Sequence, residues 1–246
     1  AIRDTKVVSS SKDKLYSYIP KNIEWDDNGY LHITTNNTVS GTQYHDYSFC
    51  KGKRNIVADM SSDILSRHFD YSKFDLIYGG LQKNLGTAGG SFVVINKNLV
   101  EDLPNVPSML NYKSHLDAIS ILNTPPVFAV FVSNLVLKWI KNKGMDYIND
   151  NNTKKSKLLY DTLDNSSLYF GLVDKEDRSM MNVTFDLKDQ NVKPAFNSFM
   201  DKKGIVGIEG HRTRGGYRAS LYNMMPLSHV EYFVACLKEF ENERMG

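Results

Sequence analysis

A chain of 246 residues that is 41% hydrophobic and 24% charged has globular composition, long enough for one large domain or two smaller ones. Its net charge of +2 gives no electrostatic reason to expect nucleic acid or a membrane surface as partner, and no apolar run reaches the roughly 18 residues of a membrane span. Two cysteines, Cys50 and Cys236, make neither a disulfide framework nor a zinc site, so no metal centre is expected and a reducing, cytoplasmic compartment fits.

The first residues, Ala1-Ile2-Arg3-Asp4-Thr5, lack an initiator Met and an apolar signal core, and read as the middle of something longer. Strand-like Lys6-Val7-Val8 and polar Ser9-Ser10-Ser11 follow. β-Branched or aromatic runs predict strands over 30–35, 55–60, 74–78 and 91–96, most of them closed by turn residues. The near-continuous apolar Ile56-Val57-Ala58 suits a strand covered on both faces, and the whole reads as an α/β sheet layer. Over 127–143 the period changes. Phe128, Val132, Leu135 and Trp139 fall at helical spacing, with Asn134, Lys138 and Lys141 elsewhere and Gly144 as a stop signal. A polar amphipathic stretch over 149–163 predicts another helix. Strands are expected over 179–186 and 204–208 around a helix over 193–203, and 230–244 predicts a closing helix. Strand and helix thus mix in a second, smaller unit. The expected units are 1–136 and 137–246, bridged by the long helix.

Two features carry chemistry. Asp59 ends an apolar strand, and in open α/β sheets ligands sit outside the carboxyl ends of strands. A carboxylate there suits a cationic ring nitrogen, although taken alone it reads first as a helix cap or loop acid. Next, Gly79, Gly80, Gly86, Gly89 and Gly90 surround Lys83 directly after a strand. Glycine lets backbone approach a ligand closely, and a lysine confined there can react with an aldehyde cofactor when its amine is neutral. A phosphate loop is not matched, because no Gly-Lys-Ser/Thr stands at the required spacing. Together the two say more than either alone. An acid at one strand end and a lysine 24 residues later span one strand–connection–strand unit, so neighbouring strand ends bring both to one crevice. An acid for the pyridine nitrogen and a lysine for the aldehyde carbon are what pyridoxal phosphate needs.

Ala58-Asp59-Met60-Ser61-Ser62-Asp63-Ile64-Leu65-Ser66-Arg67 and Leu76-Ile77-Tyr78-Gly79-Gly80-Leu81-Gln82-Lys83-Asn84 closely resemble the phosphoserine aminotransferases. So do Asn36-Asn37-Thr38, Leu122-Asn123-Thr124-Pro125-Pro126 and Gly210-His211-Arg212-Thr213-Arg214-Gly215-Gly216-Tyr217-Arg218-Ala219-Ser220. The resemblance runs in order from about Lys6 to the C-terminus. It implies an α/β chain of pyridoxal-phosphate transferase fold type I. Residues 1–136 would be the remainder of a large domain with a mixed, mostly parallel sheet, and 137–246 a C-terminal α+β small domain. Lys83 matches the lysine that holds the cofactor, and Asp59 the acid under its ring nitrogen. Thr38 matches a threonine at the ring, and Gln82 a contact to the phosphate. Asn123 and Thr124 match a pair that reaches the cofactor phosphate of the partner subunit, which implies a homodimer with shared active sites. Arg218 matches the arginine for the substrate carboxylate, which a planar guanidinium fits bidentately. His211 and Arg212 match residues near the substrate's phosphate or side-chain carboxylate. The implied reaction moves an amino group between O-phospho-L-serine and 2-oxoglutarate, giving 3-phosphooxypyruvate and L-glutamate, in serine biosynthesis.

Without the resemblance, Arg212, Arg214 and Arg218 read as a solvated basic turn, and Asn123-Thr124-Pro125-Pro126 as a helix entry. Small departures flank the motifs: Gly86-Thr87-Ala88-Gly89 stands where the family has Gly-Pro-Ala-Gly, and His68-Phe69 where it has Pro-Val. Roughly the first third of the family's chain has no counterpart. That third normally supplies a glycine-rich phosphate cup, an aromatic residue on the ring and a further His-Arg pair. Two rivals stand beside this reading. One is another fold-type I enzyme, such as a cysteine desulfurase, for which Cys50 and Cys236 lack the context, or a serine–pyruvate type aminotransferase. The other is a non-catalytic truncated chain.

Overall fold

The computed structural model describes residues 5–25 and 29–245; Ala1 to Asp4, on which most of the reading of the start rests, lie outside them. Lys6-Val7-Val8 is irregular rather than a strand. Regular structure begins with β1 (Leu31–Thr34), a short hairpin of β2 (Asn36–Asn37) and β3 (Thr42–Gln43), then β4 (Ile56–Asp59), β5 (Leu76–Gly80) and β6 (Ser91–Ile95). β1, β4, β5 and β6 form one sheet in that order. The first three are parallel and β6 runs antiparallel to β5. The sheet is therefore mixed and mostly parallel, and the carboxyl ends of β4 and β5 lie side by side.

Burial alternates along these strands. Ile56 and Ala58 of β4 are buried while Val57 and Asp59 are half-buried, and β1 buries Leu31 and Ile33 while exposing His32 and Thr34. Among the described residues the sheet is thus covered on one face, not on both as the apolar run suggested. The covering elements are α2 (Val127–Lys143) and the start of α3 (Met145–Asp164), which follow the short α1 (Tyr112–Asp117).

Helix α2 has the expected bounds, but its buried stripe is offset from the expected one: Ala129, Ser133, Val136 and Ile140 face the core with Val132 and Trp139 half-buried beside them, whereas Phe128 is 69% exposed and Leu135 is exposed too. The helix is apolar on most sides, so periodicity alone did not single out the face that packs.

The second unit holds β7 (Tyr169–Gly171), β8 (Asn182–Leu187), α4 (Lys193–Lys202), β9 (Tyr217–Ser220) and α5 (Leu227–Met245). β7, β8 and β9 form an antiparallel sheet in that order. Its core is aromatic: Phe196 meets Tyr217 edge-on at 4.8 Å and Phe240 at 5.2 Å. The strand expected over 204–208 is irregular. Gly204 and Gly207 take φ of +72° and +71°, a left-handed conformation that breaks a strand. The third strand is β9 instead, inside the basic motif.

The two cores meet along α3, not α2. Ile148 belongs to the first core, and Leu159 and Leu163 to the second. The expected division between 136 and 137 falls inside the continuous helix α2. Among the described residues, no helix is long and apolar enough to cross a membrane.

Candidate active site

Asp59 is the last residue of β4, in register with Thr34 of β1 and Tyr78 of β5. Its Oδ1 accepts from the backbone N–H of Ser61 at 2.8 Å, so the carboxylate does cap the turn that follows the strand. That turn is built on a buried acid, Asp63. Asp63 accepts from Thr35 Oγ1 at 2.5 Å and from Gln43 Nε2 at 3.1 Å, and Arg67 stands 3.7 Å away. Burial pushes the Asp63 carboxyl up, while Arg67 and the two hydrogen bonds pull the other way.

Thr38 sits at the tip of the β2–β3 hairpin. Asn37 Oδ1 closes the turn by accepting from Val39 N and Ser40 N, each at 3.0 Å. Gly41 follows with φ +82°, and a Cβ there would stand 2.7 Å from Thr184 Oγ1 of β8, so glycine lets the hairpin rest on the second sheet. Thr184 also donates to Ser40 O at 2.8 Å. Thr184 is the register partner of Arg218 on β9, so the same contact brings Arg218 to the hairpin.

Lys83 lies in the turn after β5 and is half-buried. Its Nζ donates to Thr38 Oγ1 at 2.7 Å, and Arg218 Nη1 donates to Thr38 O at 3.3 Å. Burial holds the Lys83 amine below the usual lysine range; Asp59 works against this, Arg218 adds to it, and Asp63 opposes it. The Lys83 amine and the Arg218 guanidinium, brought from the two units, thus meet on Thr38, with Asp59 near enough to act on the amine through charge. The arrangement offers a lysine biased towards its neutral, nucleophilic form, an acid, and a guanidinium for an anion.

The remaining residues singled out from the sequence stand apart from this cluster. The Gln82 side chain is exposed and folds back over Gly80. Asn123 and Thr124 are exposed just ahead of α2, and Asn123 Nδ2 donates to Thr124 O at 3.2 Å. His211 and Arg212 are exposed on the loop leading into β9, where His211 Nδ1 lies 2.8 Å from Thr213 Oγ1. Among the described residues neither bonds to Lys83, Thr38, Asp59 or Arg218. Arg214 is structural. It donates to the carbonyls of Leu15 and Leu172 and ties the loop down. Asn84 and Asp63, to which the sequence alone assigns no role, are both buried and hold the turns that carry Lys83 and Asp59.

Comparison with known proteins follows the same outline. The model of the family described as aminotransferase class-V matches residues 5–233. A phosphoserine aminotransferase of Porphyromonas gingivalis is 45% identical over 244 residues, covering 97% of this chain and 67% of the relative. One from Flavobacterium johnsoniae is 46% identical over 243 residues, covering 98% and 68%. Among solved structures, phosphoserine aminotransferase from Bacillus circulans subsp. alkalophilus superposes with a TM-score of 0.94 at 40% identity, covering 99% of this chain and 69% of that one. A pyridoxal-phosphate-bound phosphoserine aminotransferase from Trichomonas vaginalis gives 0.79 at 30% identity, covering 85% and 60%. This chain spans about two thirds of the length of these relatives.

Proposed function

The chain belongs to the phosphoserine aminotransferases of the class-V aminotransferase family, with their fold type I architecture, and on that premise we propose that it transfers an amino group between O-phospho-L-serine and 2-oxoglutarate, giving 3-phosphooxypyruvate and L-glutamate in serine biosynthesis. The observation that carries this reading is the convergence of Lys83, Thr38 and Arg218, with Asp59 close by.

The residues fit pyridoxal phosphate. Among the described residues the Lys83 amine hydrogen-bonds to a neutral hydroxyl, not to a carboxylate, and burial favours its unprotonated form. Asp59 stands at a parallel strand end, where a cationic ring nitrogen is held. When bound, the cofactor supplies an aldehyde for a lysine amine and a ring that takes up the electrons of a carbanion. Lys83 would hold the cofactor through its amine, and the same amine, when free, would serve as the general base that accepts the proton leaving the substrate α-carbon. Asp59 would hold a proton on the ring nitrogen, Thr38 would orient the ring and Gln82 would reach the phosphate. Arg218 takes the α-carboxylate of both substrates, and His211 and Arg212 take the distal anion.

The reading extends to a homodimer in which Asn123 and Thr124 serve the partner's cofactor phosphate. Its support is their exposure, beside an α2 face that leaves Val127, Phe128 and Phe131 uncovered. A cytoplasmic location is supported by two free cysteines. A desulfurase would need a reactive thiol. Both cysteines are buried, and burial pushes the Cys50 thiol up to about 11.

The deciding experiment is borohydride reduction of the protein with bound pyridoxal phosphate, followed by peptide mapping. The reduced adduct is expected on the peptide holding Lys83. An adduct on a different lysine overturns the assignment.

A further inference from the structure

Helix α3 buries a stripe at helical spacing: Ile148, Asn152, Lys155, Leu159 and Leu163. Two of these five are polar. Asn152 is 0% exposed, and its Oδ1 has no hydrogen-bond partner. An apolar residue there would avoid a buried unpaired acceptor, so packing alone does not account for asparagine. What Asn152 contributes is direction. Its Nδ2 donates to Ser66 O and to Asn223 Oδ1, each at 2.8 Å.

Asn223 is 1% exposed and continues the chain of contacts. Its Nδ2 donates to Leu65 O at 2.9 Å, and its backbone N–H donates to Asn84 Oδ1 at 3.1 Å. Asn84 is 2% exposed and donates to Ser62 O at 3.3 Å and Ile64 O at 3.1 Å. Three buried asparagines thus join three segments. Asn84 is next to Lys83. The carbonyls of Ser62, Ile64, Leu65 and Ser66 belong to the turn that starts at Asp59. Asn223 lies five residues beyond Arg218, just after β9. A second buried cluster, Asn36 with Ser62 and Asn182, ties the same turn to Ser220 and Tyr222 around the end of β9.

We infer that Asn84, Asn152 and Asn223 form a positioning node that sets Lys83, Asp59 and Arg218 in register across the two cores, and so fixes how the bound substrate's α-carbon meets the Lys83 amine. None of the three asparagines touches the reacting atoms; they act through their neighbours. The inference rests on the proposed function, because register matters only where Lys83 and Arg218 serve one substrate. Loosening the node leaves Arg218 able to bind a carboxylate but lets the α-carbon drift from the amine. Misplacement of this kind lowers turnover far more than binding.

The test uses full-chain protein loaded with pyridoxal phosphate and two variants remote from Lys83, Asn152→Ala and Asn223→Ala. Melting temperature, the dissociation constant for pyridoxal phosphate, kcat and KM for phosphoserine are measured well below the melting transition. Asn223→Ala is expected to lower kcat about tenfold with KM changed less than about twofold, and to weaken pyridoxal phosphate several-fold. Asn152→Ala is expected to show the same split, smaller. Variants that melt earlier but keep wild-type kcat and cofactor affinity show a purely structural node and overturn the inference. Should Asn223→Ala not fold, Asn152→Ala and Asn152→Ser decide it by the same measurements. If the wild type places no pyridoxal phosphate on Lys83, the proposed function fails and the inference with it; a normal wild type with unaffected variants sinks the inference alone.

Discussion

Lys83 and Thr38 meet at 2.7 Å, Nζ to Oγ1, although they come from separate loops 45 residues apart. The contact gives the amine a neutral partner. A carboxylate in that place would hold the lysine as an ammonium ion, whereas a hydroxyl can accept from either form. Burial then decides, and it disfavours charge.

The first prediction follows from the groups around that amine. After burial, Asp59 favours the ammonium and Arg218 disfavours it. Arg218→Met should therefore move the pH midpoint for Lys83 reactivity upward, and Asp59→Asn should move it downward. The measurement is the pH dependence of acylation of Lys83 in cofactor-free protein, read by peptide mass spectrometry. Shifts in the same direction for both variants would show that the two groups act by disturbing structure instead of by charge.

Asp59 should also matter to the cofactor itself. A charge-assisted hydrogen bond is worth about 1.5–3 kcal/mol, so Asp59→Ala should weaken pyridoxal phosphate roughly 10- to 100-fold and nearly abolish transamination. Absorbance titration and a single-turnover assay check the two parts. A variant that keeps most of its turnover reduces Asp59 to the cap on Ser61.

Much of this arrangement was legible in the sequence, and the gaps have physical reasons. The strand ends at Asp59 and before Lys83 show because Ile56-Val57-Ala58 and Leu76-Ile77-Tyr78 are compact apolar or aromatic runs. β9 was hidden because Tyr217-Arg218-Ala219-Ser220 carries an arginine and has little strand character, while Ile205, Val206 and Ile208 look like a strand that Gly204 and Gly207 forbid. The packed face of α2 was missed because large apolar residues lie all round it. The asparagine node was invisible. Asparagine reads as a turn residue in a loop, as at Asn84 and Asn223, and as a polar-face residue in a helix, as at Asn152; only the fold reveals that the three are buried together.

Lys155 gives a prediction about stability. It is 0% exposed, donates to Leu221 O at 2.9 Å and Tyr222 O at 2.8 Å, and burial pushes its pKa down to about 8 from 10.5. Below about pH 8 it is charged in both states, and the folded protein bears the full burial cost. Between about 8 and 10.5 the folded lysine loses its proton while the unfolded one keeps it, so the unfolded state binds more protons and stability rises with pH. The neutral amine still has two N–H groups for the two carbonyls. Against a Lys155→Met control, wild type should gain up to about 1.4 kcal/mol per pH unit over that window, measured by chemical denaturation. A flat difference would mean that Lys155 does not titrate there.

The proposed shared site makes a further prediction. Mixing inactive Lys83→Ala subunits with inactive Asn123→Ala/Thr124→Ala subunits should restore part of the activity, since one site of the hybrid dimer has both functions intact. Activity per isolated hybrid, set against either parent, checks this. An inactive hybrid places Asn123 and Thr124 in their own subunit's site or outside it.

The last prediction separates the two arginines. Arg218 is half-buried and anchored to Thr38, beside the amine, so it is placed for the α-carboxylate that every amino-acid substrate carries. Arg212 is exposed on a loop that Arg214 pins through Leu15 and Leu172, so it is placed for something farther out. Arg218→Ala should then slow both half-reactions, with phosphoserine and with glutamate, by about 10- to 100-fold, the value of a charge-assisted contact of about 1.5–3 kcal/mol. Arg212→Ala should be selective. A phosphate monoester carries about −1.5 to −2 charge at neutral pH against −1 for a carboxylate, so phosphoserine should lose more than glutamate. Single-turnover kinetics of each half-reaction give the two ratios. Equal losses for both substrates in Arg212→Ala would mean that it supports the loop and does not read the distal anion. An Arg218→Ala effect confined to phosphoserine would exchange the two roles, giving the phosphate to the inner arginine.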